Sequence, residues 1–167
     1  DELWQLFEAA RWTPSSRNEQ PWRFVVVDKI AHPAVHAAIV ATMTPGNQAW
    51  APLAPVLIVA AAKLTVGESG DVNRHALYDT GQAVAYLTMQ AQSQGLAARQ
   101  MEGFNRVAAA QVCEVPADYD LAAVIALGYP GSPDVLPNEK HRQLETTPRA
   151  RRPAADFVFA GTWASRL

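Results

Sequence analysis

Four hydrogen-bonding side chains crowd one short stretch of this sequence, P-S-S-R-N-E-Q-P-W at 14–22: Ser15, Ser16, Asn18 and Gln20. Anchored between a helix end and an apolar strand, such side chains can be preorganised to read the flat polar edge of a ligand. The same composition reads equally as a polar turn that caps its neighbours. A second stretch, R-A-R-R at 149–152, lies between Pro148 and Pro153 and so cannot be helical. In an extended chain Arg149 and Arg151 point one way and Arg152 the other. Two guanidiniums on one side suit a phosphate, which takes charge and bidentate donors. A solvated basic run is the alternative. A third stretch, Q-M-E-G-F at 100–104, turns on Gly103, where backbone can approach a ligand closely and aim an amide at it.

Other candidates carry less. His32 and His36 stand four apart on one predicted helix face, as two metal ligands could. No Glu follows His32, Pro33 perturbs that turn and no third ligand is evident, so both read as structural and no metal site is assigned. The sequence has no G-x-G-x-x-G, no Walker loop and no G-x-S-x-G. Cys113 shares an apolar helix face with Val107 and Ala110, which suits a small buried hydrophobe better than a nucleophile.

Composition narrows the class. At 167 residues and 18.1 kDa the chain suits one domain, 1–167, able to bury a core without staples. It is 49% apolar and 18% charged, with 12 Pro and 9 Gly, which excludes disorder, collagen and coiled coil. A net charge of −2 gives no long-range attraction to nucleic acid or an anionic membrane, so neither is expected as a partner. The single cysteine fits a reducing compartment, and a cytoplasmic location is expected. The longest apolar run, 56–62, is too short to span a bilayer, and no signal peptide is visible.

The elements that must position these residues follow from periodicity. Residues 1–12 predict a helix with Leu3, Phe7 and Ala10 on one face and Leu6 beside them, stopped before Pro14. W-R-F-V-V-V-D at 22–28 predicts a strand buried on both faces, and 56–62 a second. Between them 32–43 predicts a helix with Pro33 in its first turn, and 44–48 a loop. Residues 63–73 predict a mobile loop. A long helix over 73–94 places Leu77, Val84, Leu87 and Ala91 on a core stripe and stops at Gly95. A short strand and turn at 98–104, a helix at 105–113 and a third buried strand at 121–129, ended by G-Y-P-G, complete the body. In the tail beyond 133, only F-V-F at 157–159 looks strand-like. Elements alternate without a clean βαβ repeat, so the class is α+β, a small sheet wrapped by helices.

Taken together the three polar stretches resemble the FMN-dependent nitroreductase family. The likeness is carried by E-A-A-R-W-T-P-S-S-R-N-E-Q-P-W-R-F-V-V-V (8–27), N-Q-A-W-A-P-L-A-P-V-L-I-V-A-A-A (47–62) and the run 79–104, with A-L-G-Y-P-G (126–131) and 149–163 in the same order. The resemblance implies a mostly antiparallel sheet and a homodimer with FMN in each interface. It implies that Pro14, Ser15, Ser16 and Asn18 contact flavin from the partner chain. It implies that Met101, Glu102 and Gly103 form the turn whose backbone N–H faces the flavin nitrogen that accepts hydride. Arg149 and Arg151 match the basic pair that holds the phosphate, and Asn47 matches an Asn beside the isoalloxazine. The family also has an Arg-rich segment, roughly R-R-S-x-R, that grips the FMN phosphate and pyrimidine edge. The sequence opens at Asp1, downstream of where that segment is expected.

The activity implied is a ping-pong cycle. NADH or NADPH gives hydride to the flavin and leaves, then an electron-poor acceptor, such as a nitroaromatic or quinone, stacks in its place and is reduced. The last proton comes from water, so no acid–base carboxylate pair is needed. Glu102 acts through its backbone, and Asp79 is structural, bonded to a neighbouring turn. Five tryptophans and the small residues Ala76, Gly81, Ala83 and Ala85 on the long helix favour close packing, in the core or across a subunit boundary. A flavin-cleaving relative, a non-catalytic flavin-binding protein and a plain structural module are the alternatives.

Overall fold

The computed structural model describes residues 2–67 and 69–165. It divides into two compact units, Asp1–Gly131 and Ser132–Leu167. In chain order the first holds α1 (Glu2–Arg11), β1 (Trp22–Asp28), α2 (Pro33–Ala41), α3 (Pro45–Gln48), β2 (Val56–Lys63), β3 (Thr65–Val66), β4 (Asp71–Val72), α4 (Ala76–Ser93), β5 (Ala97–Met101), α5 (Arg106–Val112) and β6 (Tyr119–Gly128).

Four strands pair antiparallel in the order β1-β2-β6-β5, with β1 and β5 at the two edges. The central strand β2 is buried along nearly its whole length, as its unbroken apolar run requires. Its alternate residues feed two cores. Val56, Ile58 and Ala60 face α1 and α4, while Leu57, Val59 and Ala61 face α2 and α5. Register slips between Ala60 and Ala61, opposite an extra residue in β6. That bulge lets Leu121 and Val124, which differ in parity, share the second core. Each fully buried Leu or Ile contributes about 1.5–3 kcal/mol through removal from water.

The β1 expectation needs correction. W-R-F-V-V-V-D forms the strand, yet only Trp22 and Val27 are buried. An edge strand has a neighbour on one side only, and an apolar run does not reveal that. Helix α4 also departs from its expected stripe. Val84, Leu87 and Ala91 are buried, but Leu77 is 46% exposed, and the inward positions nearby belong to Asp79 and Thr80. Of the four small residues, Ala76 and Ala83 face the core and Gly81 and Ala85 face outward. The helix ends as expected. Gly95 takes φ +76, and the Leu96 amide bonds the Ala91 carbonyl at 2.9 Å, closing a Schellman turn.

Two predicted loops carry structure. Residues 45–48 form the single helical turn α3, with Pro45 at its start. Within 63–73, β3 and β4 pair as a short hairpin.

The second unit holds a 3-10 turn at Pro133–Val135, helix α6 (Glu139–Thr146) and a 3-10 turn at Ala154–Asp156. Helix α6 was not expected. Asn138 caps it by accepting the His141 amide at 3.0 Å. Rather than a strand, 157–159 leads to a stacked ring pair, Phe159 on Trp163, at 4.7 Å between centroids. Among the described residues no helix is long and apolar enough to cross a membrane.

Candidate functional site

The first predicted stretch is a built turn. Ser15 is extended, and Ser16–Asn18 form a 3-10 turn into β1. Arg17, Asn18 and Gln20 all take positive φ, at 53, 58 and 47. Asn tolerates this region, whereas Arg17 and Gln20 each cost about 1–2 kcal/mol there. Three bonds hold the turn against that cost. The Gln20 amide donates to Ser15 Oγ at 3.0 Å, and the Gly67 amide donates to the Glu19 carboxylate at 3.0 Å. The Ser16 amide donates to Asp79 Oδ2 at 3.0 Å. Asp79 is thus bonded to a neighbouring turn, as its sequence reading expected. Thr13 and Thr80 bury hydroxyls that lack a partner among the described residues. The Asn18 side chain is exposed, and Ser15 and Ser16 are half-buried.

The third stretch is stitched to a segment 56 residues away. Asn47 Nδ2 donates to the Gly103 carbonyl at 3.1 Å, and the Thr44 amide donates to the same oxygen at 2.9 Å. The Asn105 amide reaches the Thr42 carbonyl at 2.7 Å, and Met43 bridges Phe104. Gly103 is required by packing: a Cβ there would lie 2.9 Å from Thr44 Oγ1 and 3.0 Å from Asn47 Nδ2. The Gly103 amide has no acceptor among the described residues. Met101 is buried, while the Glu102 carboxylate is exposed and lies 3.8 Å from Arg106.

Asn47, Met101, Glu102 and Gly103 therefore converge. Pro14, Ser15, Ser16 and Asn18 form a separate group. The two groups leave opposite edges of the sheet, three interstrand steps or about 14 Å apart. They also lie against opposite cores, one beside α4 and the other beside α2 and α5. Arg149 and Arg151 belong to the second unit, exposed in an irregular segment after α6, and Arg151 Nη1 bonds the Ala150 carbonyl at 3.0 Å.

Sequence reasoning missed Thr44, which the T-P pair at a helix start announces. It also missed the Arg99 guanidinium stacked 4.9 Å over Trp50, which no spacing rule predicts. His36 is a core histidine, its Nε2 3.0 Å from the Ala54 carbonyl. Burial pushes the Cys113 thiol up from its ordinary value. A groove of about 310 Å³ between α1 and α4, lined by Ala9, Tyr86, Met89, Gln90 and Ser93, contains none of the predicted residues.

The sequence pattern of the nitroreductase family matches residues 1–129. The chain belongs to the nitroreductase family. One solved structure, of an oxidoreductase containing FMN, superposes with a TM-score of 0.90 at 30% identity, over 99% of this chain and 83% of its own. A nitroreductase family protein from Clostridium novyi NT superposes at 0.67 with 21% identity, over 99% and 84% of the two chains. An uncharacterized 15.4 kDa protein of Mycolicibacterium smegmatis is 35% identical over 101 residues, 60% of this chain and 67% of its own. The nitroreductase fold also includes an iodotyrosine deiodinase bound to FMN and 3-iodo-L-tyrosine, at 17% identity and a TM-score of 0.61 over 78% of each chain.

Proposed function

We propose that this chain is an FMN-dependent oxidoreductase that carries hydride from NADH or NADPH to an electron-poor small molecule, such as a nitroaromatic or a quinone. The observation that carries the reading is the Gly103 turn. Thr44 and Asn47 hold its carbonyl, while its amide has no acceptor among the described residues. A fixed turn with a donor to spare is what a flavin ring nitrogen needs beside it, so the residues present fit the cofactor.

Bound there, FMN would supply the two-electron redox chemistry. The protein's part is position and charge. Met101–Gly103 present backbone donors, and the exposed Glu102 carboxylate lies 3.8 Å from Arg106. Asn47 sits beside that turn, and its carboxamide oxygen, without a donor among the described residues, can face the ring edge. Pro14, Ser15, Ser16 and Asn18 line the cofactor from a second copy. Their place at the opposite sheet edge supports that division. Arg149 and Arg151 offer guanidiniums to the phosphate. Water supplies the last proton.

Two copies associate in this reading through the outer face of α4. Gly81 and Ala85 allow close approach there, and Tyr78 and Met89 are 67% and 69% exposed. The test is anaerobic mixing of the FMN-loaded protein with NADH or NADPH and then a nitroaromatic. Bleaching of the flavin bands by the nucleotide and their recovery with the acceptor are expected. Bands that neither nucleotide bleaches would overturn the reductase reading. Loss of the flavin itself in air, with fragments in place of FMN, would replace it with a flavin-cleaving activity.

A further inference from the structure

Asp79 lies in the first turn of α4 and is only 2% exposed. A carboxylate there ordinarily serves the free amides of its own helix. Here the N-cap is His75, without a side-chain cap bond, and the Asp79 oxygen reaches instead to the Ser16 amide, 63 residues away. Ser16 opens the turn in which Arg17 and Asn18 both go left-handed. Burial shields this bond from competing water, so the turn does not exchange it for a solvent contact. The Asp79 side chain thus holds the strained turn at its first amide, just where Ser15, Ser16 and Asn18 must keep one shape to meet a ligand.

We infer that Asp79 is a positioning residue for the cofactor: its buried carboxylate sets the 15–18 turn before FMN arrives, so FMN affinity depends on a side chain outside the residues proposed to contact it. This rests on the FMN reading above and adds a residue to it. The bond can be cut from either end. Asp79→Ala removes the acceptor, and Asp79→Asn keeps a neutral one. Ser16→Pro replaces the donating N–H, which Ser16→Ala keeps, with a ring carbon. Ser15, at φ −142 and ψ 155, already has the extended geometry that precedes a proline, and the first position of the turn tolerates one.

The experiment is FMN titration by fluorescence quenching, with hydrogen exchange at the 15–20 amides of the same proteins before FMN is added. Asp79→Ala weakens FMN binding roughly tenfold or more and speeds exchange in the turn, and Asp79→Asn recovers most of both. Ser16→Pro binds more weakly than Ser16→Ala by a similar factor, and adding Asp79→Ala to Ser16→Pro changes little further. An Asp79→Ala affinity within twofold of wild type, or equal affinities for the two Ser16 variants, overturns the inference. If Asp79→Ala fails to fold, the Ser16 pair decides it. Wild-type protein that takes up no FMN overturns the cofactor reading and this inference together, whereas normal wild-type binding with unchanged variants overturns this one alone.

Discussion

The chemistry of single residues here is mostly the chemistry of what holds the backbone. Gly103 is the sharpest case. Replacing it with Ala brings a Cβ within 2.9 Å of Thr44 Oγ1, which costs about 1–2 kcal/mol and displaces the turn. A lowered melting temperature and weaker FMN binding are expected, with partial recovery when Thr44→Ala makes room. No recovery would place the cost elsewhere. Glu8 gives a pH signature. Hydrogen bonds from Arg11 and then Trp12 hold its carboxyl at about 2, against an ordinary 4.5. A carboxyl depressed in the folded state stabilises it above the unfolded pKa, and that support fades as pH falls from 4.5 toward 2. Glu8→Gln therefore flattens the acid limb of a melting-temperature profile in that window, and parallel profiles would refute the assignment. The polar side chains of 14–20, the turn at Gly103 and the structural Asp79 were all visible in the sequence, because residue type alone advertises them. The partners were not. Nothing in spacing tells that Asp79 meets Ser16 or that Asn47 meets Gly103, since those contacts are set by strands that pair far along the chain.

Elements were legible where hydrophobic period and punctuation agreed. Helix α1 stops before Pro14, β2 is buried on both faces, and α4 stops at Gly95. Gly95 adopts φ +76 with nothing within 4 Å of a Cβ, so Gly95→Ala carries a backbone cost alone, about 1 kcal/mol by urea unfolding. A neutral result would mean that the Schellman turn relaxes. The misreadings have physical causes. The apolar run of β1 is real, but edge or centre is decided by sheet order. Leu77 fits the helical period, yet the inward place went to a bonded aspartate and Thr80. Helix α6 has no apolar stripe to betray it, and only Asn138 announces its start. The segment between Pro148 and Pro153 is non-helical, as its prolines demand. If it serves the phosphate, Arg149→Ala with Arg151→Ala weakens FMN binding by about 3 kcal/mol or more, since each charged contact contributes about 1.5–3. Unchanged affinity would return both arginines to solvent.

At the scale of the molecule, the α+β architecture and the family were readable from the order of motifs along the chain, while a site shared by two copies is our proposal from the placement of two residue groups. Residues that the family resemblance assigns to one cofactor lie on opposite edges of one sheet and against opposite cores. Gly81 offers a clean way to separate association from folding. A Cβ there meets nothing within 4 Å, so Gly81→Arg leaves the single chain intact while obstructing a close helix contact. That variant should sediment as a monomer and lose flavin together with its partner. Whether two copies hold the flavin between them is read from sedimentation velocity of the wild-type protein with FMN, followed at a flavin wavelength. Flavin absorbance is expected to move as one boundary at twice the 18.1 kDa chain mass. Flavin that stays behind with the solvent, or travels with a single chain, would contradict it.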